Sequence, residues 1–337
     1  MQVIDGALHR DRQLLENTCK TLYSLLRTYT VILGGFFFFF GGQLGYLFLH
    51  FSLLVATFVL ALHLAGLLVT VCSYASLRIY LQAKKEERMR GLVDEFEEEW
   101  TAMFWAEEPR DRNYFESLSN GCCLLAEKVS GQEYRVYHFS FFGEMLSSLL
   151  EKGSCWLHWK DLHFFRKILL EKAVMHYIQI VRLHPIDLEA HAMLANGYVL
   201  LSGLYVDPRK MEGMEEERWI PPRKYTQEFK QIFRQIAERA IEEFKILNEY
   251  APEDPWVHAQ LAYSYCDLQM PLKEIKEYET ILELCPDDEE TLCRLGKLYF
   301  QQGLNAKGLR MYEQLKQIHP QRAEQLLLSY VAFAQGN

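Results

Sequence analysis

From Thr28 to Leu77 the chain carries no Asp, Glu, Lys or Arg, a charge-free run of 50 residues in a protein of 337 that is 24% charged overall. The run includes five consecutive phenylalanines, Phe36 to Phe40, set between Gly34-Gly35 and Gly41-Gly42. Left in water, such a stretch is an aggregation hazard. It is stable only under a lasting apolar cover, which means either a large protein core or lipid. A straight helix of this length measures about 75 Å, against about 30 Å for the hydrocarbon core of a bilayer. One span is therefore too short to use the run, whereas two spans and a turn fit it. The length and late start also exclude a cleaved signal peptide. The expectation is a helical hairpin with spans over 30–49 and 51–73 and the turn within 41–51. Gly41 and Gly45, and likewise Ala61 and Ala65, have the four-residue spacing of close helix contacts, leaving the phenylalanines as lipid-facing bulk.

Other absences narrow the function. The net charge is −9 and no basic stripe with interleaved aromatics appears, so a nucleic-acid surface is not expected. The eight cysteines, Cys19, Cys72, Cys122, Cys123, Cys155, Cys266, Cys285 and Cys293, form no CxxC. Without a disulfide or zinc framework they read as reduced thiols of a cytosolic domain. No Walker A loop, GxSxG, HExxH or GxGxxG occurs. His158 and His163, with Cys155 nearby, miss the spacing of a helical metal pair. No pair of carboxylates stands out as an acid and base. The chain is expected not to be an enzyme, with no metal, no cofactor and no small-molecule substrate.

The flanks of the run are rich in Lys and Arg: Arg10, Arg12, Lys20 and Arg27 before it, and Arg78, Lys84, Lys85, Arg88 and Arg90 after it. The positive-inside rule then keeps both ends in the cytoplasm, most naturally at a plasma or inner membrane. His63 is the one ionisable group well inside the second span; it reads either as a neutral histidine paired across the hairpin or as part of a pathway. After the run, Met89, Leu92, Val93, Phe96, Trp100, Met103 and Phe104 recur at helical spacing and predict an amphipathic helix continuing from the second span. The acidic cluster Glu97–Glu99 reads as a solvated face of that helix.

The C-terminal part has a period. Pro252, Pro286 and Pro320 stand at equal intervals. Before Pro320 lie Leu292, Leu295, Gly296, Tyr299, Gly308, Tyr312 and Leu315; before Pro286 lie His258, Leu261, Ala262, Tyr265, Glu274, Tyr278 and Ile281. A 34-residue unit of two helices, with small residues where they meet, aromatics between neighbours and a closing proline, resembles the tetratricopeptide repeat. His258 and Glu274 depart from its pattern. An earlier unit pairs His191, Leu194, Ala195 and Tyr198 with Ala240, Phe244, Leu247 and Pro252 across an insertion at 205–229. A fainter one pairs residues 113–129 with Ala173, Tyr177, Ile180 and Pro185.

The expected fold is all-α: an N-terminal transmembrane helical hairpin followed by an α-solenoid of helix-turn-helix repeats. Its division is a cytoplasmic N-terminal segment at 1–27, the membrane hairpin at 28–80, an amphipathic connecting helix at 81–109, a degenerate repeat-like region at 110–185, repeats at 186–320 and a capping helix at 321–337.

The resemblance implies binding of a protein or peptide on the concave face lined by the first helix of each repeat. Carried over to this chain, the groove positions are Asn196, then Gln260, Tyr263 and Cys266, then Arg294, Lys297 and Phe300. Asn196, Arg294 and Lys297 are suited to a peptide carboxylate, and Tyr263 and Phe300 to apolar contact. The chaperone-tail subclass of the family needs a Lys where Ala192 stands. Trp219 and Ile220 in the insertion are a second candidate contact. The sequence therefore reads as a membrane-anchored scaffold or adaptor. Self-association through the hairpin is open, and the alternative is a small subunit of a larger membrane transport or secretion complex.

Overall fold

The structure, a computed structural model, describes residues 2–50, 58–104, 111–137, 144–207 and 225–335, and every regular element among them is a helix. In chain order these are α1 (Gln2–Leu49), α2 (Phe58–Phe104), α3 (Arg112–Val129), a 3-10 turn (Glu133–Arg135), α4 (Glu144–Leu183), α5 (Leu188–Gly203), α6 (Gln227–Tyr250), α7 (Pro255–Asp267), α8 (Pro271–Leu284), α9 (Glu289–Gln301), α10 (Asn305–Ile318) and α11 (Pro320–Gln335). They form two compact units that divide within α4, between His176 and Tyr177.

In the first unit α1 and α2 pack together, and each is long and apolar enough to cross a membrane. α1 remains helical through Gly41, Gly42 and Gly45 as far as Leu49, so these glycines do not make the turn. Nor do they make close contacts: a Cβ added at Gly34, Gly35, Gly41, Gly42, Gly45 or Gly66 would meet nothing within 4 Å. The expectation of small-residue packing is corrected on this point. The hairpin is instead joined by larger side chains. Phe36 and Phe37 pack on Tyr74, and the Thr70 hydroxyl lies 3.0 Å from the Gln43 side-chain oxygen. His63 Nε2 lies 3.0 Å from the Gln43 carbonyl oxygen, a contact that the Nε2–H tautomer makes as donor. Phe37, Phe38 and Phe39 turn outward, Phe38 being 86% exposed, whereas Phe36 and Phe40 are half-buried.

Beyond the charge-free run the same two helices enter a four-helix core. Leu14, Thr18, Leu22 and Leu26 recur every fourth residue of α1 and are buried. They join Met89, Leu92, Val93, Phe96 and Trp100 of α2, Leu118, Cys122, Leu125 and Val129 of α3, and Trp159, Leu162 and Phe165 of α4. Regular four-residue spacing places each set on one face of its helix.

In the second unit α5 packs on α6, α7 on α8 and α9 on α10, each pair also touching the next, and α11 closes the series. The local chemistry repeats with the period. Asp187, Asp254 and Asp288, each two residues after a proline, cap the first helix of a hairpin by accepting a backbone N–H. Gln269 and Gly303, at the same position of successive repeats, both take a left-handed φ in the turn inside a hairpin. Gly adopts it freely, whereas Gln269 does so at a cost of about 1–2 kcal/mol. At Gly308 an added Cβ would collide with the Phe300 ring, so only glycine allows α9 and α10 to meet there.

α4 differs from a repeat helix. It has 40 residues, where α8 and α10 have 14. Residues 110–185 thus hold α3 and α4, two helices of very unequal length, 18 and 40 residues.

A second feature repeats. His191 Nδ1 lies 2.6 Å from Glu243 and its Nε2 3.1 Å from the Pro185 carbonyl oxygen; His258 Nδ1 lies 2.7 Å from Glu277 and its Nε2 2.9 Å from the Pro252 carbonyl oxygen. Each histidine ties the second helix of its own hairpin to the end of the hairpin before. In the last hairpin Leu292 and Met311 stand at the matching positions, an apolar answer to the same joint. His258→Leu should destabilise the array by about 1–3 kcal/mol, because it strands the Glu277 carboxylate. His258→Leu with Glu277→Met, which copies the last hairpin, should recover most of that loss. Urea unfolding of the four proteins of this double-mutant cycle checks it.

Candidate partner-binding face

The first helices of successive hairpins present the groove candidates. Tyr263 on α7 and Arg294 on α9 come together, with the guanidinium carbon 5.0 Å from the centre of the phenol ring. Arg294 is held from behind by Glu290, one turn earlier on α9, whose Oε1 takes hydrogen bonds from Nε and Nη2 at 3.0 and 2.8 Å. The guanidinium thus stands over an aromatic face, oriented by Glu290 and charged. Lys297, one turn further along α9, is exposed and makes no ion pair among the described residues. Gln260 is partly exposed one turn before Tyr263, and Asn196 is exposed on α5, a hairpin removed from them.

Near this platform Glu274 and Tyr278 are buried, whereas Cys266 and Asp267 reach the surface. Burial raises the Glu274 carboxyl, opposed by a hydrogen bond with Cys266 and by the charge of Arg294. Burial also raises Asp267. Cys266 is pushed up to about 11 by burial and by Glu274, so it stays a neutral thiol. Tyr278 is buried, its hydroxyl raised by that burial, and Arg294 works against the shift. Arg294 is therefore linked both to an exposed aromatic ring and to a buried one.

Phe300 is not part of the face. It is 4% exposed and packs with Leu292, Leu315, Ala323 and Leu326, its ring 4.8 Å from that of Tyr330. The physical reason is the capping helix: α11 covers the side of α9 that would have been open, and Phe300 fills the space between them. Trp219 and Ile220 lie outside the described residues. Sequence reasoning missed Glu290 and Tyr278 as the groups that orient Arg294. The four-residue spacing of Glu290 and Arg294 on a helix was a signal for the first; the second needed the fold.

Two polar clusters in the first unit were also missed. The Lys85 ammonium lies 2.6 Å from Asp161, Asp161 lies 3.4 Å from His158 Nδ1, and His158 Nε2 lies 2.9 Å from the Tyr137 hydroxyl. His158, weighed above as half of a metal pair, is thus a buried link in a chain, while His163 stacks on Trp159. Burial raises the Tyr137 phenol, and its hydroxyl meets His158 Nε2. In the other cluster Glu97 takes Lys172 at 2.9 Å and His176 at 2.8 Å, with the Cys122 thiol at 3.7 Å. Burial would raise Glu97, but His176 and Lys172 hold it below the usual carboxylate range. Glu97 is therefore not a solvated residue, unlike its exposed neighbours Glu98 and Glu99. No group of three or more His, Cys, Asp or Glu is gathered for a metal among the described residues.

No protein-family model matches the chain, and no curated protein matches it. Solved structures similar to it include MamA, at 12% identity over 63% of this chain and 93% of that one with a TM-score of 0.33. Another is YrrB, described as a TPR protein with an unusual peptide-binding site, at 12% identity over 64% and 91% with a TM-score of 0.33. A third is TTC0263, a thermophilic TPR protein of Thermus thermophilus, at 15% identity over 74% and 99% with a TM-score of 0.32. The tetratricopeptide-type architecture of the array stands on the chain's own features: successive helical hairpins, closing prolines at equal intervals, and small residues where paired helices meet.

Proposed function

We propose that the chain is a membrane-anchored scaffold that binds a protein or peptide partner through the face carrying Tyr263, Arg294 and Lys297. The observation that carries this reading is the Arg294–Tyr263 platform, built from two successive hairpins and held in place by Glu290. An exposed, pre-oriented guanidinium beside an exposed lysine suits a carboxylate or an acidic side chain, and the tyrosine ring supplies apolar contact. Asn196 and Gln260 extend the same face. The apolar lengths of α1 and α2, with phenylalanines turned outward, support a two-span anchor in a plasma or inner membrane with the array on the cytoplasmic side. We assign His63 a positional role in that hairpin, through its contact with Gln43, rather than a place in a transport pathway. The reading assigns the chain a binding role and no catalytic step.

The test is cross-linking with mass spectrometry in intact membranes, comparing the native chain with one carrying Arg294→Glu and Lys297→Glu. Lys297 is exposed and unpaired among the described residues, so its reversal should leave the fold intact; Arg294 also reaches Tyr278 and Glu290, so the helical circular dichroism of the variant is recorded beside the capture. A partner captured by the native chain should be lost at least tenfold, about 1.4 kcal/mol, when the charge is reversed. Equal capture by both chains would remove this face from the proposal.

A further inference from the structure

The first half of α4 turns a stripe of side chains to the outside. Leu149, Lys152, Trp156 and Lys160 recur at three- and four-residue spacing with Leu157 beside them, and all five are exposed, Trp156 at 59%. Spacing of this kind puts them on one helix face. The opposite face is firmly held. Ser154 Oγ donates to the Glu133 carbonyl at 2.5 Å, His158 meets Tyr137, and Asp161 takes Lys85.

Those attachments fix where the stripe lies against the charge-free run. The Tyr137 side chain lies near Thr30, and Arg27 Nε donates to the Val136 carbonyl at 2.6 Å. Residues 27 and 30 straddle the start of the run. Lys85 lies eight residues past its end, so Asp161 sits about 12 Å outside the boundary along α2. His158, one turn earlier on α4, is already linked through Tyr137 to the start of the run. Followed towards its N-terminus, α4 therefore climbs to the level where charge disappears from α1 and α2, and the stripe runs from about that level at Leu149 and Lys152 outward to Lys160, next to Asp161.

We infer that this stripe is a third membrane contact: the first half of α4 lies in the headgroup–hydrocarbon boundary of the leaflet from which the hairpin enters. The inference rests on the membrane-anchor reading above. Trp156 takes the position that indole favours, with its apolar ring towards the acyl chains and its N–H in the polar zone. Leu149 and Leu157 add apolar area, and Lys152 and Lys160 extend their stems along it and place their ammonium groups among anionic headgroups. Lysine and tryptophan interleaved on one face suit an anionic lipid surface better than a second protein core. Held in this way, the first unit has a fixed tilt against the bilayer, which two spans alone do not impose.

The test uses the full chain reconstituted in phosphatidylcholine–phosphatidylglycerol vesicles whose acyl chains carry bromine near the headgroup, a short-range quencher of tryptophan. Native chain and Trp156→Phe are compared; Trp156 is exposed, so the change should leave the fold intact. The native chain should show a lipid-quenched component, most of which the variant loses, and Lys152→Glu with Lys160→Glu should reduce it while Trp156 is still present. If Trp156→Phe leaves the quenched component unchanged although the chain resists alkaline extraction, the hairpin is in the membrane and the stripe is not, which overturns the inference. A Trp156 shielded from water but unquenched by the lipid would assign the stripe to a protein or a second copy, and overturns it as well. A chain washed out of the vesicles by alkali would remove the membrane reading itself.

Discussion

Asp161→Ala should destabilise the first unit by about 3–5 kcal/mol, the cost of removing one partner from a buried ion pair. Lys85 and Asp161 are 2.6 Å apart, with their side chains 14% and 7% exposed. Without the carboxylate, the Lys85 ammonium has lost both water and its counter-ion, and His158 loses the acceptor at Nδ1. Asp161→Ala combined with Lys85→Met should recover a large part of the loss, since neither charge is then stranded. The same pair sets an acid limit. Burial alone would raise the Asp161 carboxyl, but the hydrogen bond with His158 and the charge of Lys85 hold it below the usual carboxylate range. A depressed carboxylate contributes stability that is fully present above its unfolded value near 3.9 and is lost as pH falls through its lower folded value. Thermal unfolding in detergent should therefore show the native chain losing its advantage over Asp161→Asn below about pH 4, with the difference constant between pH 5 and 7. A difference that instead grew from pH 7 downward would assign the effect to another group.

Phe300→Ala should cost about 3–5 kcal/mol, the range for deleting a buried aromatic side chain. Its ring lies between α9, α10 and α11 and rests on Gly308, where no side chain can follow it into the space. The loss should appear as early unfolding of the last hairpin and α11, because repeat arrays are held by nearest-neighbour contacts. Amide hydrogen exchange along α10 and α11 measures it directly. If the proposed function holds, an exposed residue such as Lys297 should behave in the opposite way, its reversal weakening partner capture while exchange along α10 and α11 stays as it was. Running Phe300→Ala beside the Arg294 and Lys297 reversals therefore separates the core from the face.

These two cases also show how far a linear reading carries. The groove residues were assigned by repeat position, and position works where the environment repeats. Tyr263 has another hairpin to follow it, so it stays on an open face. Phe300 belongs to the last hairpin, and its neighbour is the capping helix, which the period does not encode. Glu97 follows the same logic. In the sequence it is one of three successive glutamates; in the fold Lys172 and His176, more than seventy residues away, reach it and leave Glu98 and Glu99 in water. His158 was read by its spacing to His163, whereas its partners are Asp161, one turn away, and Tyr137 across the fold.

What the sequence by itself determined was everything that depends on local pattern. A charge-free run too long for one span and right for two gave the hairpin helices. A proline returning at a constant interval, followed two residues later by a capping aspartate, gave the helix ends and the period. Small residues at Gly296 and Gly308 gave the places where helices come close. The tertiary structure decided what depends on residues far apart. It drew the N-terminal turns of α1 into a four-helix core with α2, α3 and α4, because Leu14, Leu22 and Leu26 form an apolar stripe that only partner helices can cover. It closed the Lys85–Asp161–His158–Tyr137 chain across three segments, and it laid Arg294 on Tyr263 from the neighbouring hairpin. Periodicity fixes which face of a helix is apolar; which other helix covers that face, and which charges are trapped when it does, is settled only when the chain has folded.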